Sequence, residues 1–223
     1  MDVLVRQFPR FADAIGLTVW LFAVIAVIST LIGLALALIW SGRPNGIFSR
    51  CLSIYTWIFR GLPELVVLLF CYLGLPYLGI DLGSIGAALL AFVLIGTAFH
   101  AEIFKAALSA VDPRLIETSR ALGMGSGLRL RRVVLPQVIR IALSPWATFL
   151  AGNVKMLSVA SAISVSEVMM VTRQSLAISN DPMALILFAG LVYAAIASMV
   201  MILEALANRF MIRRYGPVNT GAH

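Results

Sequence analysis

An all-α membrane protein with five transmembrane helices is the fold class this sequence predicts, on three observations. Of its 223 residues, 61% are hydrophobic and only 12% charged, against about 45–50% and about 25% in soluble domains. Five separate apolar runs each reach the roughly 20 residues a bilayer crossing needs. Lys and Arg gather in alternate connecting segments, as the positive-inside bias of membrane proteins requires. A chain of mean hydropathy +0.99 cannot cover its apolar surface in water, so lipid is its solvent. A net charge of +7 would suggest nucleic acid in a soluble protein, but here the basic residues belong to cytoplasmic loops.

The first span is residues 15–40, ending at the turn Ser41-Gly42-Arg43-Pro44-Asn45-Gly46. Its length, and Asp2 and Asp13 beside Arg6 and Arg10 at its head, argue against a cleaved signal peptide. The second span is 51–75, interrupted by Arg60-Gly61-Leu62-Pro63-Glu64. Cys51 and Cys71 are placed on that one helix, about 30 Å apart, too far for a disulfide. Arg60 and Glu64 stand at i,i+4 across Pro63 and are expected to be structural, with a kink at the proline.

The third span is 84–111 and carries His100, Glu102 and Lys105. A polar stretch, 112–132, separates it from the fourth span, 135–163, which contains Pro145. After a polar segment at 172–182, the fifth span runs over 183–207. With the N-terminus outside and the C-terminus cytoplasmic, segments 41–50, 111–140 and 209–223 hold eleven Lys and Arg, six of them in 111–140. The outer side holds three, Arg6, Arg10 and Arg173. The whole chain, 1–223, is thus one transmembrane domain.

The long cytoplasmic loop reads Glu117-Thr118-Ser119-Arg120-Ala121-Leu122-Gly123, then nine residues, then Val133-Val134-Leu135-Pro136. A short helix from Ile116 to Leu122 can stop at a left-handed Gly123. Gly125 and Gly127 permit a bend, and Leu128 to Val134 can resume as helix. That makes a rigid cytoplasmic knob. Gly123 to Gly127 is glycine-rich, but no Gly-Lys-Ser/Thr follows and the chain holds no P-loop, so ATP would have to be hydrolysed elsewhere.

This loop resembles the signature of permease subunits of ABC importers: Glu-Ala-Ala, three residues, Gly, nine residues, Ile, one residue, Leu-Pro. The spacing matches throughout, and Thr118, Ser119 and Val133 are the departures. Phe59 to Leu65 is similar to the Arg-Gly-x-Pro-x-Leu segment of polar amino-acid permeases, and Ala98 to Phe104 to their Ala-Tyr-x-x-Glu-x-Phe segment, with Phe99 for the tyrosine. Lys155, Ser158, Ile163, Val165 and Glu167 fit a further stretch, from which Leu157 and Val159 depart. The resemblance covers about residues 55–170.

It implies a type I ABC importer permease fold in a bacterial cytoplasmic (inner) membrane, moving a polar amino acid, basic or opine-like, inward by alternating access. Residues 112–136 would be the coupling loop, with Glu117, Ala121, Leu122, Gly123, Leu135 and Pro136 meeting an ATPase subunit. The implied partners are an ATPase dimer holding ATP and magnesium, a solute-binding protein and a second permease subunit. Glu64 after Pro63 resembles members that pair with a non-identical sister, which points to a heterodimer. No enzymatic role, metal or cofactor is expected in this chain.

Charge inside a membrane costs about 2.5–3.5 kcal/mol at the bilayer centre, so charged groups there face protein or water. Glu102 and Lys105, at i,i+3, can pair on one face. Glu102 can equally line a cavity and receive a substrate's cationic group, with Phe99, one turn earlier, as an aromatic wall. His100 lies about 160° from Glu102 and is expected to be packed. In the fourth span Asn153 or Lys155 could meet a substrate carboxylate, and Lys155 has the family match. An ion- or proton-coupled transporter or channel using Glu102 and Lys105 is the competing function. A membrane enzyme is disfavoured, because no nucleophile–base or metal-ligand cluster is present.

Overall fold

The computed structural model describes residues 2–42, 46–179 and 181–215. Arg43, Pro44 and Asn45 of the expected first turn, and His223, lie outside the described residues. Those described are helical, with no strand, and include four helices long and apolar enough to span a membrane, or five if one bent pair is a single span.

Helix α1, Asp2–Gly42, has 41 residues and so extends about 60 Å, well beyond the apolar run that predicted it. Helix α2, Ile47–Gly61, ends where Leu62 turns to an extended conformation, φ −82° and ψ 140°. Pro63 compels this, since the ring of a proline clashes with a helical residue before it. Pro63 then precedes α3, Glu64–Leu69, which continues through a π-helical turn, Phe70–Gly74, and a 3₁₀ turn, Leu75–Leu78.

The two halves, Ile47–Gly61 and Glu64–Leu78, meet at 105°. The interruption expected within 51–75 is therefore a full break, sharper than a kink. Cys51 and Cys71 fall on different halves, one exposed and one buried, and both are free thiols.

Helix α4, Gly83–Ser109, is the hub. Its small residues Ala87, Ala88, Ala91, Ala98 and Ala101 are buried, and they let neighbouring backbones come close, the usual packing device inside a bilayer. The tightest crossing is with α1. A Cβ added at Gly33 would stand 2.5 Å from the His100 Cβ, and one at Gly96 would stand 2.9 Å from the Ser29 Cβ. His100 is fully buried at this crossing, which agrees with the expectation that it packs.

Helix α5, Pro113–Ala121, and the one-turn helix α6, Ser126–Arg129, form the loop. A π-helical turn, Leu130–Val134, leads into α7, Leu135–Met156, which ends in a 3₁₀ stretch, Leu157–Ile163. Helix α8, Val168–Leu176, and the long α9, Pro182–Tyr215, complete the chain.

Part-buried polar bonds between helices lock the bundle. The Tyr55 hydroxyl donates to the Leu94 carbonyl at 2.6 Å, and Trp146 Nε1 donates to Thr30 Oγ1 at 2.9 Å. Outward-facing Leu31, Trp57 and Leu191 are exposed, as lipid-facing side chains should be. Replacing Gly33 by Leu is expected to destabilise the bundle by about 1–3 kcal/mol through overpacking. Gly16→Ala, with nothing within 4 Å of its new Cβ, should leave the midpoint of detergent thermal denaturation unmoved.

Candidate functional site: a charged cavity and a helical knob

A cavity of about 500 Å³ opens among α2, α4 and α7. Arg60 enters it from the last turn of α2, Phe99 and Glu102 from α4, and Ile141 and Pro145 from α7. Spacing of three residues puts Phe99 and Glu102 on one face of α4, and the structure sets both in the cavity wall.

The Glu102 carboxylate is held by two donors on the same oxygen. Lys105 Nζ and Thr56 Oγ1 each reach Oε1 at 2.8 Å. Among the described residues, Oε2 has no protein donor. Both sequence alternatives for Glu102 therefore coexist: it pairs with Lys105 and it lines a cavity. The Lys105 ammonium lies 5.1 Å from the centre of the Trp40 ring, toward the end of α1, and is not part of the cavity lining.

Arg60 corrects one expectation. The break at Leu62-Pro63 destroys the i,i+4 register, so Arg60 and Glu64 form no ion pair. The Arg60 guanidinium instead sits 5.4 Å from the centre of the Phe99 ring, within cation–π range. Phe99 itself stacks on Phe149, with centroids 4.5 Å apart. The sequence held a signal for this face that went unused, because Thr56 and Arg60 are one turn apart on α2.

Asn153 and Lys155 are not brought to Glu102. They lie eight and ten residues beyond Pro145, about 12 and 15 Å further along α7. Asn153 is buried against α4, its Nδ2 4.0 Å from the position a Gly96 Cβ would take. Lys155 is exposed and faces two other clefts, one shared with Thr172 and Tyr193, the other with Ala197 and Met201.

A fully buried carboxylate, Glu167, escaped the sequence reading as a structural group. Its Oε1 accepts from the Met170 amide at 2.9 Å, and its Oε2 accepts from the Tyr193 hydroxyl. The Val168 amide donates to Thr18 Oγ1 at 3.3 Å. These bonds tie α8 to α9 and α1, and no local pattern could link residues 26 positions apart. Among the described residues no His, Cys, Asp and Glu side chains cluster as a metal site.

The loop is a built knob. Asp112 caps α5, its side chain accepting from the Arg114 amide at 2.9 Å, with Pro113 at the first helical position, where its missing N–H is harmless. The helix ends in a Schellman motif: Gly123 N–H donates to the Arg120 carbonyl at 2.9 Å and Met124 N–H to the Ser119 carbonyl at 3.0 Å. Gly123 has φ +74°, the left-handed conformation that glycine adopts without a steric penalty. Glu117, Ala121, Leu122 and Gly123 are all exposed, Leu122 at 75%, while Leu135 and Pro136 open α7.

Residues 29–213 match the family model described as the binding-protein-dependent transport system inner membrane component. The chain is 31% identical to the "Probable amino-acid ABC transporter permease protein YckA" of Bacillus subtilis, over 92% of this chain and 90% of the relative. It is 27% identical to the nopaline transport system permease protein NocM of Agrobacterium fabrum, over 97% and 95%. Its backbone superposes with a TM-score of 0.82 on a crystal structure of an amino acid ABC transporter with histidines, at 26% identity over 92% and 96% of the two chains. The fold is also that of the MetNI methionine ABC transporter in inward-facing conformations, TM-score 0.78 at 19% identity, over 92% and 97%.

The Glu102–Lys105 pair can be weighed by a double-mutant cycle. Lys105→Met alone strands a carboxylate and should cost more stability than Lys105→Met with Glu102→Gln. The coupling is expected at about 0.5–3 kcal/mol, read from denaturation midpoints of the purified protein. Additive single effects would mean the two side chains do not share an interaction.

Proposed function

This chain belongs to the family of binding-protein-dependent transport system inner membrane components, and on that premise we propose how its cavity and knob work. It is a multi-pass permease subunit of an ABC importer. Its substrate is a zwitterionic or cationic amino acid, and the cavity of Arg60, Phe99 and Glu102 is where this subunit meets it.

The observation that carries the reading is one cavity holding a carboxylate, a guanidinium and an aromatic face. Glu102 Oε2 accepts from the substrate's ammonium or side-chain cation, a charge-assisted bond of about 1.5–3 kcal/mol. Arg60, whose planar fork suits carboxylates, binds the other end of the zwitterion, the role that sequence alone gave to Lys155. Phe99 orients Arg60 and forms the wall between the two charges. Lys105 and Thr56 hold Oε1 in place, each at 2.8 Å. Curated relatives that transport arginine and nopaline, both carrying guanidinium groups, agree with this substrate class.

Energy comes from outside the chain. The N-terminus is outside and the Arg-rich loop is in the cytoplasm of a bacterial cell. The α5 knob seats on a separate ATPase subunit that binds ATP and magnesium. When two ATPase subunits close, the knobs of two permease subunits are drawn together and the pathway opens outward to a solute-binding protein. Hydrolysis then returns it inward. The second permease subunit is a sister chain. Glu117, Ala121, Leu122 and Gly123 make the contact, and Leu135-Pro136 transmit it into α7, whose Ile141 and Pro145 line the cavity. One helix thus joins motor and site.

Two measurements on the transporter reconstituted in vesicles test this. Glu102→Gln should raise the KM for a cationic amino acid about tenfold or more, with ATP hydrolysis in the absence of substrate unchanged. Unaltered uptake would remove Glu102 from the site. Gly123→Glu forces a side chain into left-handed backbone, a strain of about 1–2 kcal/mol. It should leave hydrolysis running while uptake falls at least about tenfold, and full-rate uptake would disprove the coupling role.

A further inference from the structure

A second amphipathic cavity lies behind the knob. Its volume is about 480 Å³, and it is walled by Trp40 at the end of α1, Leu108 at the end of α4, Ile116 and Arg120 of α5, and Arg129 of α6. Leu130 and Val134, from the turn before α7, add to its apolar side. It therefore combines an oily wall with two guanidinium groups at the place where two spanning helices give way to a polar loop.

Among the described residues Arg120 and Arg129 have no carboxylate partner, and the Arg129 contact, Nη1 to the Met124 carbonyl, is long at 3.4 Å. Trp40 is positioned by its own bond, Nε1 donating to Ser49 Oγ at 3.0 Å, which keeps the indole at the cavity wall. Indoles favour the lipid headgroup level. Basic pockets between spanning helices on the cytoplasmic side attract phosphate-bearing headgroups.

We propose that this cavity binds the phosphate of an anionic glycerophospholipid from the cytoplasmic leaflet, with Arg120 and Arg129 on the phosphate and the Trp40–Leu108–Val134 wall against the glycerol and acyl carbons. A free phosphate shares the charge but has nothing to place on the apolar wall, so a lipid is the better match. The site borders the Schellman turn that ends α5, and the Arg120 carbonyl accepts the Gly123 amide in that turn. A bound headgroup therefore braces the back of the knob whose tip meets the ATPase. This inference goes beyond the transport reading and borrows from it the cytoplasmic placement of the loop and its contact with the ATPase.

The test uses the purified transporter complex with its ATPase partner and measures lipid retention rather than transport. Native mass spectrometry should detect phosphatidylglycerol bound at several-fold lower concentration than phosphatidylcholine of the same acyl chains. Arg120→Gln with Arg129→Gln should weaken phosphatidylglycerol binding by about tenfold or more, and the paired Lys substitutions should restore part of it. Arg209→Gln, on α9 away from the cavity, should change nothing.

If the double variant does not assemble, the wild-type complex still decides the matter. Brominated phosphatidylglycerol should quench the fluorescence lost in Trp40→Phe more strongly than brominated phosphatidylcholine does. Equal retention of the two lipids, equal quenching by them, or displacement of phosphatidylglycerol by excess inorganic phosphate would each overturn the assignment. Failure of amino-acid uptake alone would bear on the transport reading and leave this one standing.

Discussion

The close crossing of α1 and α4 is the contact on which the rest of this structure depends. Hydrophobic driving force between helices is absent in lipid, so association rests on packing and on hydrogen bonds. Gly33 against His100 and Gly96 against Ser29 allow the two backbones to touch. Once α4 is held there, its opposite face is free to carry Phe99 and Glu102 into the cavity, with α2 and α7 closing around them. A buried His100 on the α1 side and an open Glu102 on the cavity side follow from the 200° that separates them on the helix.

The broken second span has a consequence for chemistry. Arg60 occupies the last turn of α2, just before the extended Leu62, and the 105° bend carries α3 away from it. Had the helix continued, Glu64 would have neutralised Arg60 from one turn below. The proline therefore leaves a guanidinium unneutralised by its nearest acidic neighbour and free to stack on Phe99. The same logic governs Glu102, whose two donors gather on one oxygen. Both charges are stabilised, and each retains a face toward the cavity.

At the loop between α4 and α7 the same economy of parts recurs. One short helix, capped by Asp112 and stopped by Gly123, presents Leu122 outward and Arg120 toward a second cavity. The turn from α6 to α7 is continuous with the helix whose Ile141 and Pro145 line the charged cavity. In the proposed mechanism this continuity is what would carry movement from the knob to the cavity.

Composition and hydropathy alone determined that this chain is helical and membrane-embedded, because apolar surface on that scale has no soluble solution. The spacing from Glu117 to Pro136 determined the knob and its left-handed stop, because capping and glycine conformation are local properties. The pairing of Glu102 with Lys105 and the shared face with Phe99 were legible for the same reason: helical periodicity is short-range. What the tertiary structure alone decided is which distant helices meet. It put Arg60 in the cavity and Lys155 outside it, opened the expected kink at Pro63 into a 105° break, and joined Glu167 to Tyr193. Those outcomes depend on backbone approach and on the bend angle at Pro63, and neither is written in the periodicity of a single helix.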